Sequence, residues 1–138
     1  MNIYIASSWK NFHAVEMLTE RLELQAHVVW SFVRDARAKD AFPLPPRPPE
    51  WLDSDAALTQ FHDDTAYASN CDTLIYIGPS GPDAWAEVAI AWSCNIPILA
   101  LAAPGEPIGI MRHMVTWFTS TDELLQRLPA FDEPAPQP

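Results

Sequence analysis

The sequence is short of three things: cysteine, basic residues and long apolar runs. Only Cys71 and Cys94 occur in 138 residues, which gives neither a disulfide framework nor a zinc-ligand spacing. Two small thiols packed inside a domain is the plain reading. Eight Lys and Arg stand against 18 Asp and Glu, a formal net charge of -10. Binding a DNA or RNA polymer rests on neutralising phosphates with Lys and Arg, so no nucleic-acid polymer is expected as partner. A single nucleotide, held by a few local dipoles, stays open. No run approaches the roughly 18 apolar residues that cross a bilayer, and no membrane partner is expected. The opening NIYIAS also lacks the charged-then-apolar layout of a signal peptide, which points to the cytoplasm.

What is present is a globular composition, 49% hydrophobic and 19% charged, in a chain long enough for one domain with its own core. The pattern alternates strand and helix. Residues 2–7 (NIYIAS) read as a buried strand. Residues 11–26 follow with Phe12, Val15, Leu18 and Leu22 at helical spacing, and 27–32 (HVVWSF) as a second strand. Residues 33–53 hold five prolines between Pro43 and Pro49 and read as an irregular loop; loops of that length are often functional. A helix is expected over 53–70, capped by Asp53 or Ser54. DTLIYIG (72–78) reads as a strand of the kind parallel sheets bury.

SGPDAWAEVAIAWSCN (80–95) is a helix apolar on nearly every side. Strands at 96–101 and 115–119 flank a Gly/Pro-bearing loop, and a helix over 121–128 is capped by Thr121. The stretch 129–138 is a proline-rich tail. Five strands alternating with helices imply a single α/β domain over 1–128. The expected fold is a flavodoxin-like three-layer arrangement, with a five-stranded parallel sheet in the order 2-1-3-4-5. Ligands then gather at the carboxyl ends of the strands, near the switch between strands 1 and 3.

Three segments converge there: the turn after strand 1, the proline-rich loop, and GPSGPD (78–83). Ser7, Ser8 and Trp9 in the first and Ser80, Gly81 and Asp83 in the third are candidate substrate contacts, since free N–H groups at helix starts suit an anion such as phosphate. Glu87 is the only charged residue between Ala84 and Cys94. It reads either as a glutamate favourable to the helix dipole or as an unpaired carboxylate beside the crevice, fit to be a nucleophile or general base. Asp83, four residues earlier, shares its face and resists joint ionisation with it. Asp64 lies near a stripe of Ala57, Phe61 and Ala68, at the edge of a buried face, or else is a surface acid. Tyr4 lies inside strand 1. His13, His27, His62 and His113 show no metal spacing.

Taken together, IYIASSW, FHDDTAYASNCDTLIYI and GPSGPDAWAEVAIAWSCNIPILAL resemble the nucleoside 2-deoxyribosyltransferase-like superfamily, over roughly residues 2–128. That superfamily includes deoxyribosyltransferases and deoxynucleoside-monophosphate N-glycosidases, and is related in fold to TIR-type NAD hydrolases. The resemblance implies that Tyr4 orients a catalytic glutamate and that Glu87 attacks the anomeric carbon. It implies that Asp64, eight residues before Asp72, contacts the sugar and assists proton transfer. Trp9, Trp30, Phe42 or Trp51 would stack on the base. The chain departs from the family where GTA before the glutamate becomes DAW, which sets Trp85 where substrate is expected. Cleavage or transfer at an N-glycosidic bond of a nucleoside or nucleotide is the implied activity, with no metal or redox cofactor. The alternatives are a TIR-like NAD hydrolase and an inactive nucleotide-binding or interaction module. Sites of this family are often completed by a second subunit, and 107–118, with Met111, Met114, Trp117 and Phe118, offers apolar surface for a homodimer or larger assembly.

Overall fold

A computed structural model describes residues 1–39, 47–106 and 109–128. Five strands, β1 (Asn2–Ala6), β2 (Val28–Trp30), β3 (Thr73–Ile77), β4 (Ile98–Leu101) and β5 (Thr116–Phe118), form one parallel sheet in the order β2-β1-β3-β4-β5. This is the expected flavodoxin-like order. Helices α1 (Phe12–Leu24), α2 (Phe32–Ala38), α3 (Asp55–Asn70), α4 (Pro82–Ser93) and α5 (Thr121–Arg127) connect and cover it. All five residues of β3 are buried, as befits a central strand covered on both faces.

Alternation along the strands sorts side chains into two cores. Ile3, Ile5, Ile75 and Ile77 pack with Val15, Leu18 and Leu22 of α1 and Leu124, Leu125 and Leu128 at α5. Tyr4, Ala6, Leu74 and Tyr76 point the other way, onto Ala68 of α3 and Ala84, Val88 and Ala91 of α4. The parity of position 4 therefore commits Tyr4 to the α3/α4 layer.

Four local expectations are corrected. Residues 33–53 are not irregular throughout. Ser31 accepts the Arg34 N–H at 3.2 Å and starts α2, whose Val33 and Ala36 are buried, and Pro49–Asp53 is a 3-10 turn. That capping also ends the second strand at Trp30. Phe42 and the tail 129–138 lie outside the described residues. Second, the helix at the chain's end is capped by Ser120, not Thr121, because the Ser120 hydroxyl accepts the Glu123 N–H at 3.2 Å. Third, α4 is not buried all round. Ala84, Val88 and Ala91 face the sheet, whereas Ala89 is exposed and Trp92 is 55% exposed. Fourth, Phe61 is 58% exposed and Ala68 is the one fully buried residue of α3, so no Ala57–Phe61–Ala68 stripe forms. The inward stripe is Ala57, Gln60, Asp64, Tyr67 and Ala68. Within 107–118, Met111 is exposed while Met114 and Trp117 pack on the second core.

Candidate functional site

The site is built where α3 and α4 pass over β1. Tyr4 is 4% exposed, fixed between β2 and β3 in register with Trp30 and Leu74. Its hydroxyl engages the Glu87 carboxylate, and its hydroxyl pKa is raised far above the usual phenol value by burial, then by the charges of Glu87 and Asp64. Glu87 sits on the second turn of α4, between the buried Ala84 and Val88. Burial pushes its pKa up to about 8. The Asp64 charge and, more weakly, Asp83 add to the rise, and the Tyr4 hydrogen bond opposes it. Asp64 projects from the inward stripe of α3, accepting the Gln60 Nε2 at 3.4 Å. Burial, with the charges of Asp35, Asp63 and Asp83, lifts its pKa to about 6 against the Gln60 hydrogen bond. Three elements far apart in sequence thus deliver Tyr4, Asp64 and Glu87 to one partly desolvated place. Two carboxyl groups there cannot both ionise at low cost.

An aromatic wall flanks this group. Tyr67, one turn beyond Asp64, lies 4.7 Å from the Trp30 ring and 6.2 Å from that of Tyr4 between centroids. Trp30 was among the expected stacking residues. Tyr67 was not, although its spacing of three from Asp64 puts both on one helix face.

The remaining candidates divide. The Ser7 hydroxyl donates to the Ile77 carbonyl at 2.7 Å and accepts from Asn11 Nδ2 at 3.1 Å, and Asn11 also reaches the Pro79 carbonyl at 2.9 Å. Ser7 thereby latches the turn after β1 to the end of β3. Ser8 and Ser80 each carry a buried hydroxyl oxygen with no partner among the described residues. Gly81 caps α4 without a side-chain bond, and Asp83 is exposed on its first turn. Trp9 is not brought to Tyr4: it packs on Phe32, 4.6 Å between ring centroids, at the margin of the α1/α5 core. Trp51 lies on the turn into α3 under the Arg47 guanidinium, 3.8 Å from its ring centroid.

Trp85 also differs from expectation. Two positions along a helix are about 200° apart, so Trp85 turns away from Glu87. It packs on Tyr76 and Trp117, with ring centroids 4.9 and 6.4 Å away. Its indole N–H donates to Glu106 Oε1 at 3.1 Å, the same oxygen that accepts the Tyr76 hydroxyl at 2.6 Å. Glu106 was missed in the sequence because it lies in an irregular loop with no motif around it. Among the described residues no three of His, Cys, Asp and Glu converge as metal ligands.

No protein-family model and no curated protein sequence matches the chain. Solved structures do. The CMP N-glycosidase BcmB of Clostridium botulinum superposes with a TM-score of 0.59 at 16% identity, over 94% of this chain and 99% of that one. A 2-deoxyribosyltransferase from Bacillus psychrosaccharolyticus gives 0.61 at 18%, over 90% of each chain. A conserved protein from Enterococcus faecalis V583 gives 0.53 at 17%, over 98% of this chain and 76% of that one. The chain shares the fold of these structures.

Proposed function

We propose that the protein cleaves, or transfers at, the N-glycosidic bond of a nucleoside or nucleotide, with Glu87 as nucleophile, Asp64 as proton donor and Tyr4 as the group that orients Glu87. The observation that carries this reading is the meeting of the buried Tyr4 with the partly buried Asp64 and Glu87, whose charges act on its hydroxyl. The fold shared with an N-glycosidase and a deoxyribosyltransferase supports it.

The Asp64–Glu87 pair holds one proton between about pH 6 and pH 8, and such values belong to the pair rather than to either residue. Positive charge grows on the anomeric carbon as the bond to the base lengthens. That charge favours an ionised Glu87, and the shared proton passes to Asp64. The C–N bond breaks, Asp64 gives its proton to the departing base, and the Glu87 oxygen bonds to the anomeric carbon. Water or a second base then attacks that carbon, releasing Glu87 and returning a proton to Asp64. Trp30 and Tyr67 present ring faces against which a nucleobase can stack.

The test is chromatographic detection of free base after incubation with deoxynucleosides, ribonucleosides, their monophosphates and NAD. Release that disappears in Glu87→Gln supports the proposal. Release from NAD alone moves the reading to an NAD hydrolase. Ligand binding without release, unchanged in Glu87→Gln, makes the protein a binding module.

A further inference from the structure

Asp64 accepts a hydrogen bond from within its own helix, from the Gln60 Nε2 at 3.4 Å. The two residues are four apart and share a face of α3. The other end of the Gln60 amide is engaged as well: its Oε1 accepts Arg47 Nη1 at 3.4 Å. Arginine has donors and no acceptor, so the guanidinium can meet only the amide oxygen. The amide nitrogen is thereby turned to Asp64, where it can only donate. Arg47 decides the orientation of an amide that would otherwise be free to flip.

Arg47 is itself held. Its guanidinium lies over the Trp51 ring, 3.8 Å from the centroid, a cation–π contact. Trp51 belongs to the 3-10 turn Pro49–Asp53, and the Ser54 hydroxyl ties that turn to α3. It donates to the Trp51 carbonyl at 2.6 Å and accepts the Ala57 N–H at 3.2 Å. Helix cap, indole, guanidinium and amide thus form one chain that ends on Asp64 Oδ2. Trp51, an expected substrate contact, presents a ring face to Arg47 instead.

A carboxyl group that gives up a proton has two oxygens that could carry it. Oδ2 already accepts from Gln60 and takes the place of the carbonyl oxygen, so the proton belongs on Oδ1. Resting on the proposed role of Asp64 as proton donor, we infer that Gln60, held by Arg47, is a positioning residue that fixes which Asp64 oxygen delivers the proton. The Oδ1 proton passes to the nitrogen of the departing base as the C–N bond breaks, and Asp64 is left ionised. The Gln60 hydrogen bond strengthens as that charge develops. The charges around Asp64 work the opposite way. They are Asp35 of α2, paired with Lys39 at 2.9 Å, Asp63 of α3, and Asp83 and Glu87 of α4, with the Tyr4 hydroxyl of β1 beside them. Gln60 favours the ionised form against them.

The experiment measures base release across pH by the wild type, Gln60→Leu, Arg47→Met and the double variant, each with a poor and an activated leaving base. Gln60→Leu is expected to lower kcat for the poor leaving base about tenfold or more, and for the activated one by about twofold at most. Its acid limb should move up by roughly one unit, because the donor to ionised Asp64 is gone. Arg47→Met should give part of the same selective loss, about threefold. The double variant should be no slower than Gln60→Leu, since Arg47 acts through Gln60. Arg47 is exposed, so its variant decides the matter if thermal melting shows Gln60→Leu to be unfolded. Equal losses for the two leaving bases, an acid limb that stays put in Gln60→Leu, or additive losses in the double variant overturn the inference. If Asp64→Asn slows the poor leaving base selectively while Gln60→Leu and Arg47→Met do not, this inference falls and the glycosidic reading stands. No Glu87-dependent release from any substrate overturns both.

Discussion

Asp64 on α3 and Glu87 on α4 are electrostatically coupled across the top of Tyr4: the charge of Asp64 helps to raise the Glu87 pKa to about 8, while Asp64 itself stands near 6. Activity that needs one carboxylate and one carboxylic acid is therefore expected to follow a bell in pH, with limbs near 6 and 8. The acid limb reports formation of the nucleophile, and the basic limb loss of the proton donor. A pH series of kcat/KM for base release measures it. A profile flat from pH 5 to 9 contradicts the assignment.

Asp64→Asn is expected to lower kcat by about 10²- to 10⁴-fold, the usual range for losing a general acid. It also removes a negative neighbour, so the Glu87 pKa falls and the limb near 8 disappears. Rates for a substrate with an activated leaving base, which needs no protonation, should fall much less. Equal losses for good and poor leaving bases would remove Asp64 from proton donation.

Tyr4→Phe deletes only the hydroxyl that steadies ionised Glu87. The Glu87 pKa then rises further, the acid limb moves to higher pH, and kcat falls about tenfold at pH 7. The phenyl ring keeps its place between Trp30 and Leu74, so the melting temperature changes by only a few degrees for about 1 kcal/mol. An acid limb that stays put would mean that Tyr4 does not touch Glu87 in the working enzyme.

Stability carries the same signature. Glu87 binds its proton more tightly folded than unfolded, with a pKa of about 8 against the ordinary 4.5. Its burial therefore costs nothing at pH 4, and stability is lost progressively as pH rises from about 4.5 to 8. Glu87→Gln removes that loss. The variant should match the wild type near pH 4 and exceed it at pH 9, by at most about 5 kcal/mol for a shift from 4.5 to about 8. Denaturant titrations at the two pH values decide it.

Gly78→Ala places a Cβ 1.8 Å from Glu106 Oε2 and 2.9 Å from Tyr76 Cε1. Something must move, and the expected cost is about 1–3 kcal/mol, read by urea denaturation. A change in Trp85 fluorescence should accompany it, because the Glu106 bond to the indole is disturbed. An alanine variant as stable as the wild type would mean that Glu106 does not approach the backbone of Gly78.

Much of this architecture was readable from residue order. The apolar runs at 2–7 and 72–78 marked the central strands, and the parity of Tyr4 within the first follows from the two-residue period of a strand. Glu87 stood out because nothing charged surrounds it. Helix α2 was concealed because the prolines that follow dominate the segment, while the cue that starts it, the Ser31 hydroxyl, is a single polar atom. The inward stripe of α3 is hidden for a different reason. Apolar periodicity picks out Phe61, yet the face that turns inward carries Gln60, Asp64 and Tyr67, polar residues held there by the groups they meet. The closeness of Trp85 to Glu87 in sequence hides the half-turn that separates them on the helix. Glu106 left no trace in local sequence: the side chains it meets, Tyr76 and Trp85, are 30 and 21 residues away.

The most direct measurement of the central claim is single-turnover release of free base from a nucleoside by the wild type and by Glu87→Gln, with trapping of a glycosylated enzyme by mass spectrometry. The expected result is release by the wild type with a sugar adduct on Glu87, and a loss of at least 10³-fold in Glu87→Gln. Release that proceeds equally well in Glu87→Gln, or an adduct on another residue, would contradict it.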